Sequence, residues 1–263
     1  MNTDFLKGKR ILIAEDDFVN QKLITHSLNT TGAIFDIAGN GLEAIELLKS
    51  GNYDLILMDI NMPEMDGFEA TQVIRKEISS SIPIIAMTGW SSRTEGDKFT
   101  QVGMNGCLAK PFGLDALYKT LDAILQAPSV PLALAEPIVA AEVASTGEEP
   151  LVDLDMLNEL AEGDNEYKVT IMNMFLETMP ETMQKMDEYL AAADWENFYK
   201  TAHYAKSSLS VVKVPEMHKL AQAMERNARQ QTSLETVPGM ITIFKKYFEQ
   251  VKTALNKEIS ALS

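Results

Sequence analysis

Short apolar runs alternate with amphipathic stretches through the first 126 residues. Residues 9–14 (KRILIA) read as a strand that stops at the acidic cluster Glu15-Asp16-Asp17, and from Phe18 to Thr30 the pattern is helical, closed by Thr31-Gly32. Residues 34–38 form a second strand, and Asn40-Gly41 turns the chain into a helix over 41–50. The third strand, 53–59, contains the apolar run Leu55-Ile56-Leu57-Met58 and ends at Asp59, with a Pro- and Gly-punctuated loop beyond it. Such a run reads as a fully buried strand of a parallel sheet. A helix over 67–78, a strand over 82–88, a helix over 92–102 (weakened by Gly96), a strand over 105–109 and a helix over 113–126 complete the series. Five βα units predict an α/β flavodoxin-like fold, a doubly wound sheet of five parallel strands with helices on both faces.

The pattern changes after residue 126. Residues 127–150 hold four prolines and neither an aromatic nor a basic residue, which predicts a semi-extended linker. Their Ile, Val and Leu content leaves open an ordered arm lying on one of the domains. From Leu151 onward nothing reads as a strand. Helices are predicted over 153–161, 165–192 (kinked at Pro180), 194–211 with Asp194 as its cap, 215–231 and 240–255. Long amphipathic helices with short connections predict an antiparallel four-helix bundle. The expected organisation is therefore 1–126, linker 127–150 and bundle 151–263.

Composition narrows the function. A formal net charge of -15 argues against direct nucleic-acid binding, which needs clustered Lys and Arg. Cys107 is the single cysteine, so there is no internal disulfide framework and no cysteine-based zinc site. No run approaches the roughly 18 apolar residues that span a membrane, and MNTDFLKGKR lacks the apolar core of a signal peptide. The expectation is a cytoplasmic chain that makes no membrane contact of its own.

Chemistry in open α/β sheets sits beyond the carboxyl ends of the strands. The ends of strands one and three would bring Asp16, Asp17 and Asp59 into one pocket, where a hard cation with oxygen ligands, Mg²⁺, would relieve their repulsion. Thr88 ends the fourth strand with a hydroxyl, and Lys110 ends the fifth with an ammonium. A metal, an ammonium and a hydroxyl around one carboxylate is equipment for phosphoryl transfer.

The acidic pair Asp16-Asp17, the segment MDINMPEMDG, Thr88-Gly89 and Lys110-Pro111-Phe112 occur in order, each at a strand end. Residues 8–126 thereby resemble the receiver domain of two-component response regulators. The resemblance implies that Asp59 is the phospho-acceptor, and that Asp17, Asp59 and the carbonyl of Asn61 bind Mg²⁺ with Asp16 assisting through water. It also implies that Thr88 and Lys110 hold phosphoryl oxygens and that the Lys110-Pro111 bond is cis. Cys107 departs from the pattern, standing where receivers place an aromatic switch residue. Trp90, two residues after Thr88, is expected either to shield the acyl phosphate from water or to pack on the neighbouring helix.

In the helix 194–211, Trp195, Phe198, Ala202, Ala205, Leu209 and Val212 form a core stripe. His203 lies one step round from it, with Lys206 and Ser207 a turn later and Ser210 beyond. A neighbouring ammonium favours a neutral imidazole and attracts a phosphoryl group, while the small serines leave room for a partner. His26 and His218 read as inert. AHYAKSS resembles the acceptor motif of histidine phosphotransfer domains, with Ala205 and Ser207 replacing the usual Leu and Gly, and the resemblance covers 151–260.

Together these readings describe a phosphorelay protein. A histidine kinase's phosphoacceptor domain would donate to Asp59, and His203, assisted by Lys206, would exchange the group with Asp59 and with a downstream receiver. A flexible linker of this length spans roughly 25–30 Å and gives an effective concentration in the millimolar range. No nucleotide-binding loop is present, so the phosphoryl group comes from outside this sequence. The chain is compatible with the C-terminal piece of a hybrid kinase and, with Met1 close before the first strand, with a free-standing protein. The rivals are a receiver-gated docking module with no relay through His203, and a transcription factor, for which the bundle lacks a basic recognition helix.

Overall fold

In the computed structural model, residues 3–89, 98–126 and 151–262 are described. They form two compact units, each considered by itself. The predicted linker 127–150, Trp90, and most of the predicted helix 92–102 lie outside the described residues, although 98–101 are helical.

The first unit is a sheet of five parallel strands, β1 (Arg10–Ala14), β2 (Ile34–Ala38), β3 (Leu55–Asp59), β4 (Ile84–Thr88) and β5 (Gly106–Ala109), in the order β2-β1-β3-β4-β5. Period-two alternation sends successive residues of one strand to opposite faces. Leu12, Ile56, Met58, Ile84 and Ala86 pack on one side with α2 (Gly41–Ser50) and α3 (Gly67–Val73). Ile11, Ile13, Leu55, Leu57, Ile85 and Met87 pack on the other with α1 (Phe18–Asn29) and α4 (Leu114–Gln126). The Tyr118 hydroxyl donates to the Ser27 carbonyl at 2.6 Å and joins those two helices. With both faces covered, β3 and β4 have every residue buried, which is why they read as continuous apolar runs.

The predicted helix 67–78 is α-helical only to Val73 and finishes as a π-helical turn over Ile74–Ile78. Its start is tightly specified. Asp66 accepts from the Glu69 N–H at 2.8 Å, and the Glu69 carboxylate accepts in return from the Asp66 N–H at 3.4 Å, a capping box. Next to it, a Cβ on Gly67 would overlap the carbonyl oxygen of Asp59. The Asp-Gly pair thus fixes where the loop returns to the end of β3.

The second unit contains α5 (Asp155–Ala161), α6 (Asn165–Ala191), α7 (Trp195–Val211), α8 (Pro215–Gln230) and α9 (Val237–Leu262). The four long helices pack each on the next, and α9 closes against α6. Asp194 caps α7 as expected, accepting from the Asn197 N–H at 3.1 Å. Helix α6 continues through the exposed Pro180, where one backbone donor is lost without ending the helix. Helix α9 contains the expected 240–255 and extends beyond it at both ends. Pro238 falls in its first turn, whose N–H groups have no partner within the helix.

These backbones give opposite expectations for two glycines. Gly67→Ala should lower the stability of the first unit by about 2 kcal/mol, the usual range for a forced overlap. Gly239→Ala, exposed in α9 with nothing within 4 Å of a new Cβ, should raise that of the second by about 0.5–1 kcal/mol. Urea unfolding of each variant reads both.

Candidate functional site

The strand order reverses between β1 and β3, since β2 lies to one side of β1 and β3 to the other. This is the switch point at which a parallel sheet opens a crevice. Ala14 is the register partner of Met58, so the first residue beyond β1, Glu15, comes level with Asp59. The carboxylates that converge, within 4.8 Å of one another, are those of Glu15, Asp16 and Asp59.

The expected trio of Asp16, Asp17 and Asp59 is corrected by one residue. Asp17 is the N-cap of α1, and its Oδ1 accepts from the N–H groups of Val19 at 2.8 Å and Asn20 at 3.1 Å. A helix starting at Phe18 needs an acceptor in that position, whereas Glu15 is one of the residues left to line the crevice.

Lys110 holds the cluster together. Its Nζ donates to Glu15 Oε2 at 2.5 Å and to Asp59 Oδ2 at 2.6 Å, all within the buried interior. The remaining oxygens are also engaged. Asn20 Nδ2 donates to Glu15 Oε1 at 3.1 Å, and the Asn61 N–H donates to Asp59 Oδ1 at 3.1 Å. Asn61 Nδ2 is buried with no hydrogen-bond partner among the described residues. Burial, followed by the charge of Asp59, pushes the Asp16 carboxyl up to about 7. Burial raises Glu15 well above the usual carboxylate range, against the pull of Lys110. Burial would favour a neutral amine at Lys110, but the charges of Asp59 and Glu15 outweigh it and raise its pKa. One ammonium among three carboxylates leaves an electron-rich, all-oxygen site, and that donor set fits a hard divalent cation.

Thr88, buried at the end of β4, stands one residue beyond Met87, the register partner of Asp59. Its carbonyl accepts from the Lys110 N–H at 2.7 Å, and the Lys110-Pro111 bond is cis. Cys107 is half-buried on β5, its thiol pKa raised by burial.

In the second unit, α7 buries Phe198, Ala202, Ala205 and Leu209 as the stripe predicts. His203 and Lys206 are also buried, at 9% and 7% exposure. The reason is a residue that sequence reasoning missed, Glu225 on α8. Its Oε1 lies 2.7 Å from His203 Nδ1, and its Oε2 accepts from Lys206 Nζ at 2.6 Å. Burial would raise this carboxyl, but the hydrogen bond and charge of His203, followed by the charge and hydrogen bond of Lys206, pull it down to about 2. The Lys206 ammonium is therefore balanced by a carboxylate rather than acting on His203 alone. A signal for Glu225 exists in the sequence, because it adjoins the buried stripe Met217-Ala221-Met224-Ala228 and a buried carboxylate requires partners. Ser207 and Ser210 are half-buried, and the Ser210 hydroxyl donates to the Lys206 carbonyl at 3.1 Å. His218, in the first turn of α8, has its pKa lowered by burial and then by Lys206.

Comparison with known proteins finds a family match in each of the two units. Residues 11–122 match the response regulator receiver domain, and residues 170–262 match the Hpt domain. The chain is 44% identical over 132 residues to hybrid signal transduction histidine kinase B of Dictyostelium discoideum, covering 46% of this chain and 6% of that protein. It is 29% identical over 228 residues to the signal transduction histidine-protein kinase BarA of Shigella flexneri, covering 86% of this chain and 24% of that protein. The chain thus spans a quarter or less of the length of these relatives. Among solved structures, the receiver domain of a Pseudomonas aeruginosa sensor histidine kinase, with a magnesium ion coordinated in its active site cleft, is 36% identical. That match covers 45% of this chain and 98% of the other, with a TM-score of 0.43. Among the described residues no helix is long and apolar enough to cross a membrane. The first unit belongs to the response regulator receiver domain family, the second is an Hpt domain, and the chain carries the receiver-plus-Hpt arrangement of hybrid histidine kinases.

Proposed function

We propose that this chain relays a phosphoryl group between Asp59 and His203, receiving it from the phosphohistidine of a kinase and exchanging it with a further receiver. The observation that carries the reading is that each domain presents one nucleophile held in a buried ion-paired cluster, Asp59 by Lys110 and His203 by Glu225 with Lys206. In the receiver, an oxygen of Asp59 attacks phosphorus as the P–N bond of the donor breaks, and the imidazole leaves. Lys110 remains beside the new acyl phosphate as a fixed positive charge, and Thr88 supplies a hydroxyl donor at the neighbouring strand end. Mg²⁺ would be held by Asp59, Asp16 and Glu15 with the Asn61 carbonyl, and when bound supplies neutralisation of the phosphoryl oxygens. Asp17 acts in this scheme through the cap that fixes α1.

The reverse chemistry serves the Hpt domain. A ring nitrogen of His203 attacks an aspartyl phosphate, and the carboxylate leaves with the bonding electrons. The partners are a kinase phosphoacceptor domain and another receiver, and the functional boundaries are a receiver over 1–126 and an Hpt domain over 151–263, connected by 127–150.

Phosphorylating the full chain with a labelled kinase donor tests the relay. Label should appear in alkali-labile form on Asp59 and alkali-stable form on His203. His203→Gln should retain only the first, and Asp59→Ala should lose both. Unchanged labelling of His203 in Asp59→Ala would refute transfer through Asp59.

Magnesium titration calorimetry separates the acidic residues. Asp16→Asn should weaken Mg²⁺ binding about tenfold or more, equivalent to roughly 1.4 kcal/mol. Asp17→Ala should leave that affinity within about threefold while lowering receiver stability by about 1 kcal/mol through loss of the cap.

A further inference from the structure

The second unit holds a cavity of about 440 Å³ that takes no part in the site around His203. It opens between the segment 151–154, α5, the start of α6 and the end of α9, and among the described residues none of α7 or α8 lines it. Its floor is apolar and completely buried, with Leu157 from α5, Met172 from α6 and Leu255 from α9. The wall formed by 151–154 is tied down. The Asp153 N–H donates to the Lys213 carbonyl at 3.1 Å, and the Asp153 carboxylate accepts from the Lys213 ammonium at 3.1 Å. A concave space of this size falls within the roughly 300–1,000 Å³ of small-molecule sites.

The rim carries the polar groups, and positive charge exceeds negative there. Lys168 of α6 and Lys257 of α9 line the cavity beside a single acid, Glu258. Among the described residues neither ammonium forms an ion pair, and Lys168 donates only to Asn158 Oδ1, at 3.3 Å. Lys257 and Glu258 are adjacent on one helix and do not face each other. Two unpaired ammoniums at one opening run against the formal net charge of -15. An apolar floor under a cationic rim specifies an amphipathic anion.

We propose that this cavity binds a free aliphatic monocarboxylate of medium chain length, with its chain on Leu157, Met172 and Leu255 and its carboxylate at Lys168 and Lys257. The chain displaces water from apolar surface that the bundle itself leaves uncovered. The carboxylate meets two ammoniums that have no other anion to give up, so no existing ion pair is broken. A cationic amphiphile would be repelled by both lysines, and a neutral one would leave them unneutralised. Three helices and 151–154 bound the space, which suits a single molecule taken from solution rather than a lipid held in a bilayer. The inference is independent of the relay reading, because the cavity shares no residue with the cluster of His203, Glu225 and Lys206.

Sodium octanoate is the probe, and backbone amide NMR of the full chain is the readout. Octanoate should shift amides within 151–158, 168–172 and 254–262 and leave those around His203 and in the receiver in place. Its dissociation constant should be about 1 mM or lower, as expected for a ligand of roughly ten heavy atoms. Lys168→Gln combined with Lys257→Gln should weaken octanoate about tenfold or more while leaving octanol, the uncharged probe, unchanged. Ala254→Leu, which places a good helix former in the lining, should weaken both probes. No shift in the three segments with octanoate up to about 10 mM, ten times the expected constant, overturns the proposal. Equal binding of octyltrimethylammonium does so too, as does octanoate affinity that survives the double lysine substitution. Shifts in these segments that grow with protein concentration alone would make a second copy of the chain the occupant, and that also overturns it.

Discussion

The receiver depends on a single electrostatic constraint: buried carboxylates crowded at one end of a sheet must share a cation. The topology of the sheet makes the crowding unavoidable. The strand order reverses between β1 and β3, so the residue after Ala14 and the last residue of β3 come level, and both are acids. Lys110 reaches them from the end of β5, two strands away from β3. Its ammonium is anchored by its own backbone, whose N–H is bonded to Thr88 at 2.7 Å. The crevice, the nucleophile and the counter-charge are therefore consequences of one strand order, and the apolar strands behind them make the arrangement rigid. The close fit of Gly67 against the Asp59 carbonyl has the same effect from the loop side, since it fixes the backbone from which Asp59 projects.

The Hpt domain solves a related problem with the roles inverted. In the receiver one ammonium is divided between two carboxylates, while in the bundle one carboxylate is divided between an ammonium and an imidazole. Both clusters draw their members from separated elements, so neither survives loss of its fold. Both are also buried, which strengthens the interactions and makes an unpaired member costly. The difference between them is the element that supplies rigidity. A strand end fixes Asp59, whereas the α7–α8 packing fixes His203 against Glu225.

Much of this was legible in the sequence, and the failures have physical causes. The five strands were readable because a two-sided parallel sheet makes its strands apolar throughout, and Asp59, Thr88 and Lys110 could be placed because they interrupt such runs. The acidic pair was misplaced by one residue, because three consecutive acids carry no periodicity of their own. What separates them is the competition between a helix cap, which captured Asp17, and a sheet register that leaves Glu15 beside Asp59. Glu225 was missed for a different reason. Helical periodicity tells which face of α8 is buried, but pairing a residue of α8 with one of α7 requires the relative rotation and offset of the two helices, and these arise only from packing.

The two charge distributions also account for the different requirements of the two sites. With all its carboxylates ionised, the receiver cluster carries an excess of negative charge that Lys110 alone cannot neutralise, and the charge of Asp59 adds to burial in raising the Asp16 carboxyl. A phosphoryl group, itself anionic, meets repulsion there unless a divalent cation joins the site. The bundle cluster instead sets one ammonium, Lys206, against one carboxylate, Glu225, so it carries no comparable excess of negative charge. On the proposed relay, an arriving phosphoryl group therefore meets an excess of negative charge at Asp59, which a divalent cation would offset, and a balanced ion pair beside His203.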